Sequence, residues 1–227
     1  NTIGGIVIMS SKNLAGYLLA ISPIVMIVMF AAVFPAVLGT GQEDLKGEAL
    51  LKASIEAGME HVHLTYVVAT LGGLAMMAMF LGYTLWARLL QGDDKKGNAL
   101  VLVAAIAMPV AAAGMMLSMD FNFAAAAAWV DGDKANAMTI QAVAEYAGNN
   151  FIWTFIFMSI GFTGLASALQ TTDKISKTVG YILAVISVIM LIINVGGIDA
   201  EGAGFMVFLG MMIATVAGGV ALIRQKA

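Results

Sequence analysis

Six apolar stretches, each long enough to cross a lipid bilayer, constrain this chain more than any other feature. A helical span needs about 20 apolar residues to cross roughly 30 Å of hydrocarbon. The stretches at about 14–38, 62–87, 99–123, 149–169, 178–198 and 205–223 meet that requirement. Most are joined by short polar segments, "QGDDKKGN", "VDGDKANA", "QTTDKISK" and "DAEGAG", rich in the Gly, Asp, Asn and Ser that favour turns. The expectation is an all-α, polytopic membrane helix bundle of six transmembrane helices, forming one transmembrane domain over residues 1–227.

Composition agrees. The chain is 61% hydrophobic and 11% charged, whereas soluble domains carry about 25% charged residues. Its net charge is only -3 and its eleven Lys and Arg form no dense basic run, which sets nucleic-acid binding aside. The absence of cysteine excludes disulfides, thiolate catalysis and cysteine-ligated clusters. "NTIGGIVI" ahead of Met9 reads as upstream or appended sequence, with Met9-Ser-Ser-Lys-Asn as the natural start. The first apolar run is too long for a signal peptide and lacks a small-x-small exit, so it reads as an uncleaved span.

One joint is long. Residues 40–60, "TGQEDLKGEALLKASIEAGME", place Leu45, Ala49, Leu51, Ile55 and Met59 loosely on one helical side and acids on the other. That pattern predicts an amphipathic segment at the membrane surface between helices 1 and 2. Residues 136–147, "NAMTIQAVAEYA", read similarly.

Six spans put both termini and the second and fourth joints on one side. That side holds Lys12, Arg88, Lys95, Lys96, Lys174, Lys177, Arg224 and Lys226, eight of the eleven cations. The positive-inside rule then makes the N and C termini cytoplasmic, in a bacterial or archaeal inner membrane. No lysine lies in the middle of a span, which disfavours a retinal protein. "AGYLLAISPIVMIVMF" in the first span also aligns with "VGYILAVISVIMLIIN" in the fifth, matching Gly16/Gly180, Tyr17/Tyr181, Leu19/Leu183, Ala20/Ala184 and Met26/Met190. Duplication and the small alphabet of apolar helices both produce such a match.

With this topology, polar residues gather near the outer boundary. Glu60, His61 and His63 open the second span, Asp120 and Asn122 close the third, Glu145, Asn149 and Asn150 open the fourth, and Asn194 closes the fifth. Glu60 and His63 share a helix face at i and i+3, while His61 points about 200° away from His63. If the spans pack together, these groups form a cup open to the outside.

Three readings stay open for Glu60, His63, Asp120, Glu145, Asn149 and Asn194: hydrated interfacial residues, a proton or cation site, or a metal site. A mononuclear site would use Glu60, His63, Asp120 and Glu145, whose N and O donors suit Zn, Mn or Fe. Carboxylate-bridged di-metal bundles need two Glu-x-x-His copies, and one is present. Asp120 is functional by default if the hydrocarbon edge lies near Trp129, and a rim acid if it lies near Phe123. Two histidines on one helix, pointing apart, do not suit a bis-histidine haem. No cofactor is assigned.

The remaining features read as structure. The seventeen Met, including "MMAM" at 76–79, fill irregular apolar gaps more often than they bind copper. Pro109 frees the Ala105 carbonyl and favours a kink. Gly210, Ala214 and Gly218 form a small-residue stripe, and Gly161 and Gly164 in "GFTG" do similar work; both let helices approach closely, inside the bundle or against a partner. Hydrolytic and phosphate-loop motifs are missing.

"KNLAGYLLAI" and "AVAEYAGNNFIWTFIFMSIGFTGLASALQTTDKISKTVGYILAV" resemble segments of an uncharacterised bacterial family of six-helix integral membrane proteins, a domain of unknown function. The resemblance would cover most of residues 12–223 and implies a fold rather than an activity. The first functional expectation is a non-enzymatic accessory or partner-binding membrane subunit, in contact with the bilayer and with other membrane subunits or further copies of itself. The second is a small-solute or cation transporter with an acidic outer vestibule. The third is a metal-binding membrane oxidoreductase at the outer rim.

Overall fold

The computed structural model describes residues 2–3, 6–7, 9–33, 45, 47–60, 62–146, 149–198 and 201–225, with the side chains of 2, 3, 6, 7, 58, 60, 62, 145, 146, 149, 150 and 201 left aside. Among the described residues the chain is all-α apart from a short antiparallel pairing of Thr2–Ile3 with Ile6–Val7. Helix α1 covers Ser11–Ile27 and continues as a π-helical turn over Val28–Val33. Then follow α2 (Glu48–Glu60), α3 (Val62–Leu89), α4 (Asn98–Val130), α5 (Lys134–Tyr146), α6 (Asn149–Gln170), α7 (Lys174–Gly196) and α8 (Glu201–Arg224). Six of these, α1 with its π turn, α3, α4, α6, α7 and α8, are long and apolar enough to cross a membrane. The chain is a multi-pass membrane protein.

The spans form a closed ring. Each packs on the next in sequence, α1 on α3, α3 on α4, α4 on α6, α6 on α7 and α7 on α8, and α8 returns to α1. Successive spans cross in opposite directions, so with six of them the last runs antiparallel to the first, on which it packs. The inward faces merge into one apolar core that includes Leu19, Phe80, Met108, Ile160, Leu183 and Met211, all buried. Helices α3 and α6 also touch across the ring, and among the described residues buried side chains close its middle.

Hydrogen bonds lock one end. The Lys12 ammonium donates to the Gln225 carbonyl, and the Gln225 amide donates to Ser176 Oγ at 3.3 Å, tying both terminal helices to the start of α7. Gln170 Nε2 donates to the carbonyls of Leu90 (3.0 Å) and Lys96 (2.8 Å), fixing the α3–α4 joint to the end of α6. Asp173 caps α7, accepting at 2.8 Å from the Ser176 N–H and at 2.7 Å from its hydroxyl. We call this the terminal end.

Glycines set the closest approaches. A β-carbon on Gly16 would stand 2.9 Å from the Gly219 carbonyl oxygen, and one on Gly180 2.5 Å from that of Gly164. The aligned first and fifth spans thus use their matching glycines alike, each against a glycine of a neighbouring helix. Tyr17 and Tyr181 are both exposed and Leu19 and Leu183 both buried, whereas Met26 is buried and Met190 only partly so.

The third span outruns its predicted limit of 123. Helix α4 runs 33 residues, Asn98–Val130, unbroken through Pro109. At 1.5 Å per residue that is about 50 Å, against roughly 30 Å of hydrocarbon. Hydropathy falls at Asp120 and Asn122, but the helix does not need hydropathy: Asn122 Nδ2 donates back to the Ser118 carbonyl at 2.9 Å, and the alanines that follow are the strongest helix formers.

Candidate functional site

The end opposite the termini carries a cap. The overhanging part of α4 turns at Gly132, whose φ of 85° favours glycine, and α5 folds back along it. Two hydrogen bonds hold α5 in place, Gln141 Nε2 to Asn122 Oδ1 at 2.9 Å and Ser118 Oγ to the Ala144 carbonyl at 3.0 Å. Ala137, Gln141 and Ala144 are buried, one turn apart along α5. Lys134 stands over the Trp129 ring at 5.0 Å from its centroid.

Helix α2 completes the cap. It packs on α4, α5 and α3 and buries Leu51 and Ile55. The expected apolar face of α2 therefore rests on protein, except for Ala49, which is exposed. On its other side Lys52 and Glu56 pair at 3.9 Å, both about half exposed. Residues 40–44, the start of the expected amphipathic segment, lie outside the described residues.

The expected polar cluster can be placed residue by residue. His63 is exposed in the first turn of α3, on the stripe of Leu64, Val67, Leu71 and Leu74, which faces away from the ring. Asp120 lies on the outward stripe of α4, in line with Leu102, Ile106, Ala113 and Leu117, opposite the buried Val101, Ala104, Met108 and Ala111. Asn194 Nδ2 reaches Thr154 Oγ1 at 3.2 Å and ties α7 to α6. His61 lies outside the described residues, and so do the side chains of Glu60, Glu145 and Asn149. Among the described residues, no three His, Asp or Glu side chains come together as a metal-binding group.

The small-residue positions face their own bundle. A β-carbon on Gly218 would meet the Trp86 indole at 3.1 Å, one on Gly210 would meet Ile186 at 3.6 Å, and Ala214 is buried. Gly161 lies against Ser187, and Gly164 against Gly180 and Leu183.

The interior also holds polar atoms. Thr215 donates to the Met211 carbonyl at 2.8 Å, so the Tyr83 hydroxyl, 2.7 Å away, donates to Thr215 Oγ1. Trp86 lies stacked beside Tyr83, centroids 6.0 Å apart. The Trp86 indole nitrogen and the hydroxyls of Thr163 and Ser187 are buried without a hydrogen-bond partner.

Toward the cap end the core opens into a cavity of about 300 Å³ between α1, α3, α6 and α8. Phe30, Phe80, Trp153, Phe208 and several methionines line it, and the tip of the Phe30 ring lies against Gly72. Sequence reasoning read the methionines as gap fillers. No local sequence pattern signals the cavity, because its lining comes from four separate helices. Compared with known proteins, the chain matches no family model, no curated protein and no solved structure.

Proposed function

We propose that this chain is a non-enzymatic, partner-binding subunit of a membrane assembly, set in a bacterial or archaeal cell membrane with its termini cytoplasmic and its cap outside. The orientation rests on the eight cations of the terminal side against three on the other. The observation that carries the functional reading is the filled ring. Phe80, Met108, Ile160 and Met211 occupy its centre and α3 meets α6 across it, which argues against a polar path for a solute or cation. His63 and Asp120, on outward stripes, favour the interfacial reading of those residues.

Function then falls to surfaces. The exposed cap carries Glu48, Glu56, Asp120, Asp131 and Asp133 against Lys52 and Lys134, so the partner presents a basic face. The test is isolation of the full chain from its own membranes in mild detergent, with mass spectrometry of what elutes with it. A second polypeptide in fixed ratio is expected, and it is lost from a Glu48→Lys, Glu56→Lys variant. A chain that elutes alone, or only with copies of itself, refutes the reading.

A further inference from the structure

Helices α1 and α8 meet at one end and part at the other. At the terminal end a β-carbon on Gly219 would lie 2.6 Å from both the Gly16 carbonyl oxygen and the Ala20 nitrogen. Toward the cap the two helices diverge around the cavity of about 300 Å³. Its inner wall is Met79, Phe80 and Met212, and apart from the Trp153 indole N–H its lining side chains are apolar. At its mouth Ala31 and Phe205 are exposed, and so are the adjacent apolar Val28 and Met206. The opening therefore faces sideways, at a depth where these spans are surrounded by hydrocarbon.

Such a space does not hold water, because a buried water needs two to four polar partners. An apolar cavity of about 150 Å³ stays dry and takes up benzene or xenon; this one is about twice that size and has a lateral mouth. Methionine and aromatic walls adapt to a flexible apolar guest. The wall on the α1 side is Met26 and Ile27 at the end of the α-helix and Phe30 and Ala31 of the π turn, a helix form found frequently at functional sites, and Phe30 packs against Gly72.

The geometry points to a binding site for one acyl chain of a membrane phospholipid, inserted between α1 and α8 from the leaflet on the cap side. The cavity offers no charged, hydroxyl or amide side chain to a headgroup, so recognition is of the chain and the headgroup stays outside. This site does not depend on the partner-binding reading.

Trp153, on the cavity wall, reports occupancy. The full chain is reconstituted in phosphatidylcholine vesicles with and without bromine on the acyl chains, since bromine quenches an indole on contact. The Trp153 signal is the difference between the wild type and Trp153→Phe. Loss of most of that signal in brominated vesicles is expected, with recovery in Ala31→Phe, which fills the mouth. Leu209→Phe, on the α8 wall of the cavity, repeats the test if Ala31→Phe fails to fold. An unquenched Trp153, as when a polypeptide segment fills the cavity, or quenching that survives both filling variants, overturns the proposal.

Discussion

Gly219 of α8 packs directly on the backbone of Gly16 in α1: a β-carbon at 219 would stand 2.6 Å from the Gly16 carbonyl oxygen. Backbone cannot move aside as a side chain can. Gly73 of α3 offers a contrast, because its nearest obstacle is the Met119 methyl, the far end of a flexible chain. Gly219→Ala is expected to lower stability by about 1–3 kcal/mol through overpacking. Gly73→Ala is expected to be neutral or to gain up to about 1 kcal/mol from helix propensity. Thermal unfolding of both variants in one detergent checks the contrast.

The Tyr83–Thr215 pair predicts an asymmetry. Tyr83→Phe removes one hydrogen bond and leaves Thr215 bonded to Met211, for a loss of about 0.5–1.5 kcal/mol. Thr215→Val leaves the Tyr83 hydroxyl buried without a partner and is expected to lose about 1–3 kcal/mol. Equal losses in denaturant unfolding would show that the bond does not form as described.

The cap should loosen independently of the ring. Gln141→Ala deletes the bond to Asn122 and leaves that carbonyl oxygen to find water. Hydrogen exchange across residues 134–146 is expected to speed up while α3 and α6 keep their protection. Exchange that rises equally in the spans would mean the cap and ring unfold together.

Asp173 gives the pH dependence at the terminal end. The Ser176 N–H and then its hydroxyl bond the carboxylate and hold its pKa below the usual aspartate range. A depressed folded pKa contributes stability that is complete above the unfolded value and lost as pH falls through the folded one. The wild type should therefore lose stability on acidification through that window, and Asp173→Asn should show a smaller acid loss. Unfolding midpoints of the two between neutral and acid pH measure it.

The spans were legible in the sequence because hydropathy and turn residues both report on the bilayer, and six candidate spans stand where six were read. The end of α4 was not, because beyond Asp120 the helix is sustained by Asn122 and alanine propensity, which hydropathy ignores. The small-residue stripe at Gly210, Ala214 and Gly218 was visible as a pattern, yet the closest backbone approach of α8 falls one residue on, at Gly219. Spacing shows that a helix has a small face; only the partner helix decides which glycine meets it.

The candidate site was less legible for the same reason. Depth along a helix follows from residue count, so His63, Asp120 and Asn194 could be assigned to one level. Rotation about the helix axis depends on neighbours, and it turns His63 and Asp120 outward. Tyr83 and Thr215 lie 132 residues apart in the chain, and no local pattern joins them. The cavity is likewise lined from four separate spans, α1, α3, α6 and α8, which no local pattern joins.

Because the chain has no cysteine, single-cysteine variants labelled with a membrane-impermeant thiol reagent, applied to each face of oriented vesicles, test the filled and oriented ring directly. Glu56→Cys is expected to label only from the outer face, Lys95→Cys only from the cytoplasmic face, and Ile160→Cys from neither. Labelling of Ile160→Cys from either face would reveal an aqueous path through the bundle and would contradict the partner-binding reading in favour of transport.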